Sequence, residues 1–105
     1  MIARILTVLY VNMLLYISAF AQDDYYRRKA ESYTREAGYY LKKAEGYQRE
    51  AAYHTKIGKI DSAKTYTRYA ESAMDNYKTQ MRYASQADEK AAQYLRWAAD
   101  ALSKH

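Results

Sequence analysis

A chain of 105 residues with 14 Tyr, no Cys and no Pro can hold one small domain and cannot brace it with disulfides. Its formal charge is +5, but 12 acidic residues are interleaved with 17 basic ones, so no one-sided basic block for nucleic acid forms. Half of the residues are apolar by type, yet most of that half is Ala and Tyr, which excludes an ordinary aliphatic core.

The start reads as an export signal. Arg4 gives a short positive region, and Ile5 to Ile17 is apolar apart from Thr7 and Asn12. Ala19-Phe20-Ala21 then forms a small-x-small cleavage pattern before the polar Gln22-Asp23-Asp24. This predicts a signal peptide over 1–21 and secretion of a mature segment 22–105. The alternative is a membrane anchor, but the apolar run falls short of the roughly 20 residues a span needs.

Cleavage would remove the only Phe and both Val. Beyond Ala and Tyr, the mature segment has Leu41, Ile57, Ile60, Met74, Met81, Leu95, Trp97 and Leu102 as its apolar residues. At about 84 residues a single core is marginal. Stabilisation is therefore expected from helix packing, association or covalent chemistry other than disulfides. No Asn-x-Ser/Thr acceptor for a glycan is present.

The first mature element repeats. Ala30, Ala37, Ala44 and Ala51 recur every seven residues, as do Tyr26, Tyr33, Tyr40 and Tyr47, with His54 in the next slot. A third row is basic throughout: Arg28, Arg35, Lys42, Arg49 and Lys56. Such heptads predict a helix with a narrow Ala/Tyr seam and a charged back. Glu31 with Arg35 and Glu45 with Arg49 stand at i,i+4 in the favourable order.

"KIGKIDS" then breaks the frame, with Gly58 suited to a helix C-terminus and Asp61 to an N-cap. The second element repeats in a shifted phase. Arg68-Tyr69-Ala70, Arg82-Tyr83-Ala84 and Arg96-Trp97-Ala98 lie fourteen apart. Ile60, Met74, Met81, Leu95 and Leu102 share one heptad row, and Ala63, Ala70, Ala84, Ala91 and Ala98 lie three residues on.

The expected fold is all-α. It is an antiparallel helical hairpin of two long Ala/Tyr-seamed helices, about 24–56 and 61–103, coiled-coil-like and able to self-associate. These helices would be on the order of 50 and 65 Å long. The predicted seam is Ala30, Tyr33, Ala37, Tyr40, Ala44, Tyr47 and Ala51 with Met74, Met81 and Leu95. One continuous dimerising helix, or a further break near Asp75-Asn76 giving three helices, are the alternative architectures.

No enzyme chemistry is expected. The two His, His54 and His105, form no pair with metal-ligand spacing, and His54 fills a Tyr slot of the seam. No nucleophile elbow or Gly-rich phosphate loop is present, and no cofactor is expected. Ala and Tyr make a poor membrane-active face, and export removes nucleic acid as a partner.

Tyrosine exceeds what one seam absorbs. Tyr25, Tyr39 and Tyr53 form a second row in the first helix, one residue before the seam Tyr and about 100° around the helix. In the second helix Tyr69 and Tyr83 lie off the seam, in line with Trp97. Tyr25, Tyr39, Tyr53, Tyr69 and Tyr83 are thus candidate surface or cross-linking phenols. A phenol oxidised through a catechol to a quinone is attacked by a Lys amine. Lys42, Lys43, Lys56 and Lys78 are the candidate amine partners, among nine Lys of the mature segment that end at Lys104.

With its AESYTRE and AEGYQRE repeat and its Tyr/Lys-rich mature segment behind a signal peptide, the chain resembles the vitelline eggshell precursors of trematode flukes. It departs from their Gly-rich members in having three Gly and a helical pattern. The resemblance implies a secreted structural precursor that self-associates or joins other extracellular structural proteins, with a phenol-oxidising enzyme acting on it. The rival expectation is a secreted helical-hairpin interaction protein that binds a partner through a Tyr-rich face without oxidation.

Overall fold

The computed structural model describes residues 2–103. Among the described residues the chain is all-α, with helix α1 over Ile2–Lys56, helix α2 over Ile60–Ser103, and no strand. Lys104 and His105 lie outside the described residues. Helix α1 starts far earlier than the expected residue 24. Its Leu-, Ile- and Ala-rich beginning meets no Pro, and no Gly before Gly38, so nothing stops a helix there. Asp75 and Asn76 lie within α2.

Three residues, 57–59, separate the helices. Gly58 adopts φ 80°, the left-handed region where a Cβ is strained. The Lys59 amide donates to the His54 carbonyl at 2.8 Å and the Gly58 amide to the Thr55 carbonyl at 3.1 Å. These two bonds are the paired closure of a Schellman C-cap, which satisfies carbonyls the helix end would otherwise leave orphaned. Asp61 is not the N-cap. The Lys59 carbonyl accepts the first α-helical bond, from the Ala63 amide at 3.0 Å, so Asp61 stands inside the first turn. Its carboxylate there still complements the positive end of the helix dipole.

The chain divides into two compact units, Met1–Ala30 with Ser85–His105, and Glu31–Ala84. In the second unit, Ala37 and Ala44 of α1 and Ala63, Ala70, Ala73 and Ala84 of α2 are buried. Tyr33, Tyr40, Tyr47, His54, Tyr66 and Tyr77 are half-buried beside them. Ring pairs cross between the helices in opposite chain order, Tyr47 with Tyr66 and Tyr69, and Tyr33 with Tyr83. In the first unit, Ala19, Asp23, Ala30, Ala87, Ala91 and Ala98 are buried, and Tyr26 stacks on Tyr94.

The α1 seam is thus the Ala and Tyr rows read from the sequence. Two residues extend them: Asp23 continues the Ala row seven residues before Ala30, and Ala19 continues the Tyr row before Tyr26. The α2 seam needs correcting. Met81 is 38 % exposed, and Ile60 and Leu102 are more so, so these leave the seam, whereas Met74 and Leu95 are half-buried as the α1 seam Tyr are. The buried positions are the Ala63/70/84/91/98 row together with Ala73 and Ala87, three residues further on. Small side chains on both partners permit a short interhelical distance, and a Met or Leu row on the contact line would hold the helices apart.

The charged back follows the same logic. Arg28, Arg35, Lys42, Arg49 and Lys56 are all exposed. Ion pairs on α1 include Arg27 with Asp23 at 2.9 Å and Arg28 with Asp24 at 3.1 Å, and His54 reaches Glu50 at 3.7 Å. Glu31 with Arg35 and Glu45 with Arg49 do not close. Holding two long side chains in one exposed geometry gains little in water.

Candidate functional site

The helical period decides which phenols face outward. One step from a seam Tyr rotates a side chain by about 100°, from the interhelical groove to the flank. Tyr25, Tyr39 and Tyr53 are accordingly 51, 52 and 57 % exposed, and on α2 Tyr69 and Tyr83 are 50 and 39 % exposed. All five candidate phenols therefore reach solvent, and Trp97 joins them on the α2 flank.

Each outward α1 ring leans on the seam residue that follows it. Tyr25 meets Tyr26 edge-on with centroids 5.0 Å apart, Tyr39 meets Tyr40 at 5.4 Å, and Tyr53 meets His54 at 5.3 Å. The outward α2 rings instead reach across. Tyr83 tilts at 54° against Tyr33 with centroids 5.4 Å apart. Tyr69 tilts at 57° against Tyr47, again at 5.4 Å. Both helices thus advance by fourteen residues between two near-identical pairs.

Of the four candidate amines only Lys43 stands over a ring, with its Nζ 4.9 Å from the Tyr39 centroid. Among the described residues Lys42, Lys56 and Lys78 stand over none. Two amines outside that set do: Lys29 over Tyr25 and Lys90 over Tyr26, both at 5.3 Å. The Lys29 placement was legible, because Tyr25/Lys29 repeats the i,i+4 spacing of Tyr39/Lys43. The Lys90 placement depends on interhelical register. Arg82 adds a further cation over Tyr83 at 5.7 Å. A hydrogen bond to the Tyr39 side chain, with the charge of its ionised phenol second, holds the Lys43 ammonium above its ordinary pKa.

Near the interhelical turn the rings close into a cluster. His54 stacks on Tyr66 with centroids 5.1 Å apart and planes within 5°, and Tyr66 meets Tyr69 edge-on at 6.0 Å. His54 Nδ1 is buried without a hydrogen-bond partner. Beside this cluster a groove of about 490 Å³ is lined by Gln48, Thr67, Glu71, Met74, Asp75 and Lys78, with Ala at its base. Among the described residues no three side chains gather as a metal site, and no helix is long and apolar enough to cross a membrane.

No protein-family model, curated protein or solved structure matches the chain.

Proposed function

We propose that the chain is a secreted structural precursor, cross-linked through oxidised Tyr and Lys in an extracellular coat of the eggshell kind. In this reading residues 1–21 are removed. The rest is an antiparallel, coiled-coil-like hairpin that self-associates, and the outward phenols react. The observation that carries the proposal is the pair of exposed aromatic rows, Tyr25/Tyr39/Tyr53 and Tyr69/Tyr83, on a scaffold whose buried side chains are almost all Ala. Packing within the chain would bury such rings, whereas covalent hardening needs them reachable and regularly spaced.

The chemistry balances simply. A monophenol and O₂ give an ortho-quinone and water at a phenol-oxidising enzyme. A neutral Lys amine then adds to the quinone ring, which returns to an aromatic catechol without further oxidant. Amines already above a ring react first once free of their proton, because the encounter is intramolecular. Removal of 1–21 is supported by exposure. Every large apolar side chain between Ile2 and Phe20 whose exposure is described lies open, so cleavage gives up little core beyond Ala19.

Mass spectrometry of the protein recovered from its natural source tests the reading. Catechol masses or ring-linked Lys at Tyr25, Tyr39 or Tyr53 are the expected result. A fully extractable monomer with every Tyr unmodified would sink it, and would leave the partner-binding hairpin as the surviving account.

A further inference from the structure

We infer that Tyr33 with Tyr83, and Tyr47 with Tyr69, are two preformed dityrosine sites that staple α1 to α2 under a one-electron oxidant such as hydrogen peroxide with a haem peroxidase. The inference deepens the oxidative reading above and rests on it. It gives the phenols two different roles, since two pairs close within the chain while Tyr25, Tyr39 and Tyr53 stay free for neighbouring chains.

The geometry selects these pairs. Ortho–ortho coupling needs the edge of one ring turned toward the other. Tilts of 54° and 57° with centroids 5.4 Å apart present such an edge. The third pair of Tyr that joins α1 to α2 at short range is Tyr26 with Tyr94, stacked within 11° at 5.8 Å, face to face with no edge presented. Tyr47 and Tyr66 are further apart, at 6.3 Å. Tyr25 and Tyr39 have edge-on neighbours, but these are the next residues of the same helix, whose side chains diverge by about 100°. In each selected pair one member is open to oxidant, Tyr83 or Tyr69, and the other is half-buried on the seam.

The step conserves atoms and electrons. Each phenol gives up one electron and its hydroxyl proton. The two phenoxyl radicals join ortho carbon to ortho carbon. The hydrogens on those carbons then move to oxygen and restore both hydroxyls. The two electrons and two protons reduce one hydrogen peroxide to two waters. The partner ring is held in place, so closure within the chain outruns coupling between chains in dilute solution.

The full 105-residue chain at micromolar concentration is treated with haem peroxidase and hydrogen peroxide, with a free tyrosine ester as internal control. Digestion and mass spectrometry read the links, and denaturing electrophoresis reads chain number. The expected result is a monomer carrying 33–83 and 47–69 links, with Tyr26 and Tyr94 uncoupled. Tyr33→Phe halves the dityrosine yield, and Tyr33→Phe with Tyr47→Phe abolishes the within-chain yield, while both keep the ring packing. Tyrosines oxidised but coupled only between chains, or at other pairs, would overturn the staples and leave the coat reading standing. Unmodified tyrosine beside a converted control ester would likewise overturn the staples, whereas the coat reading falls only if tissue-derived protein carries no oxidised Tyr.

Discussion

The two helices treat their large side chains differently. In α1 the large row, Tyr26 to Tyr47, lies on the seam and is half-buried. In α2 the large apolar row is half-buried at Met74 and Leu95 but open at Ile60, Met81 and Leu102, and the buried rows are Ala. Apolarity alone would bury Met and Leu before Ala, since each buried methylene contributes about 0.8 kcal/mol. What decides instead is the distance at which two helix backbones meet. With α1 offering Ala at alternate seam positions, a small-residue line on α2 leaves room beside it for the half-buried Tyr of α1. The Tyr ring then buries its carbon body and keeps its hydroxyl near water.

The sharpest way to break this arrangement is to enlarge the contact line. Ala37 is 1 % exposed, and Ala37→Leu forces a side chain into a space sized for a methyl. Overpacking of this kind costs about 1–3 kcal/mol. Urea unfolding followed by circular dichroism should show that loss for Ala37→Leu, and a comparable one for Ala84→Leu on the facing helix. A neutral result at both would mean the helices do not rest on their Ala rows.

Next in size is a gain. Gly38 follows Ala37 directly, yet a Cβ there meets nothing within 4 Å. Gly38→Ala should stabilise by about 0.5–1 kcal/mol, because a helix-interior Gly gives up more backbone entropy than Ala. The same unfolding midpoint reads it. Opposite signs at two adjacent positions would locate the edge of the seam to one residue.

Much of this was legible in the sequence. The heptads of Ala30 to Ala51 and Tyr26 to Tyr47 fix a helix and its buried stripe, because both rows keep the same seven-residue period. Gly58 marks the break since few residues tolerate its φ. The outward Tyr were also legible, because their displacement from the seam is a rotation any helix imposes. Three things were not. The α2 residues offer several rows at the same seven-residue period, and the row chosen depends on the partner's side chains. Asp23 sits seven before Ala30, but an acid at a presumed cleavage junction does not announce itself as a seam residue. The cross-helix ring pairs depend on interhelical register, which periodicity within each helix leaves free.

The smallest expected effect tests that α2 choice most directly. Met81 is a large apolar residue that the sequence assigns to the seam, yet it is 38 % exposed. Another member of its row, Thr67, is exposed and satisfies its hydroxyl locally by donating to the Ala63 carbonyl at 2.9 Å, as an off-seam residue does. Met81→Gln keeps the length and helix propensity of the side chain and removes its apolar character. On the flank this should change stability by no more than about 0.5 kcal/mol. Were Met81 a seam residue, burying an unpartnered amide in its place would cost about 1–3 kcal/mol. A midpoint shift as large as that of Ala84→Leu would return Met81 to the interface and turn α2 by roughly 60°. Such a turn would also carry Tyr69 and Tyr83 away from Tyr47 and Tyr33, so this near-silent substitution bears on the tyrosine pairs as well as on the fold.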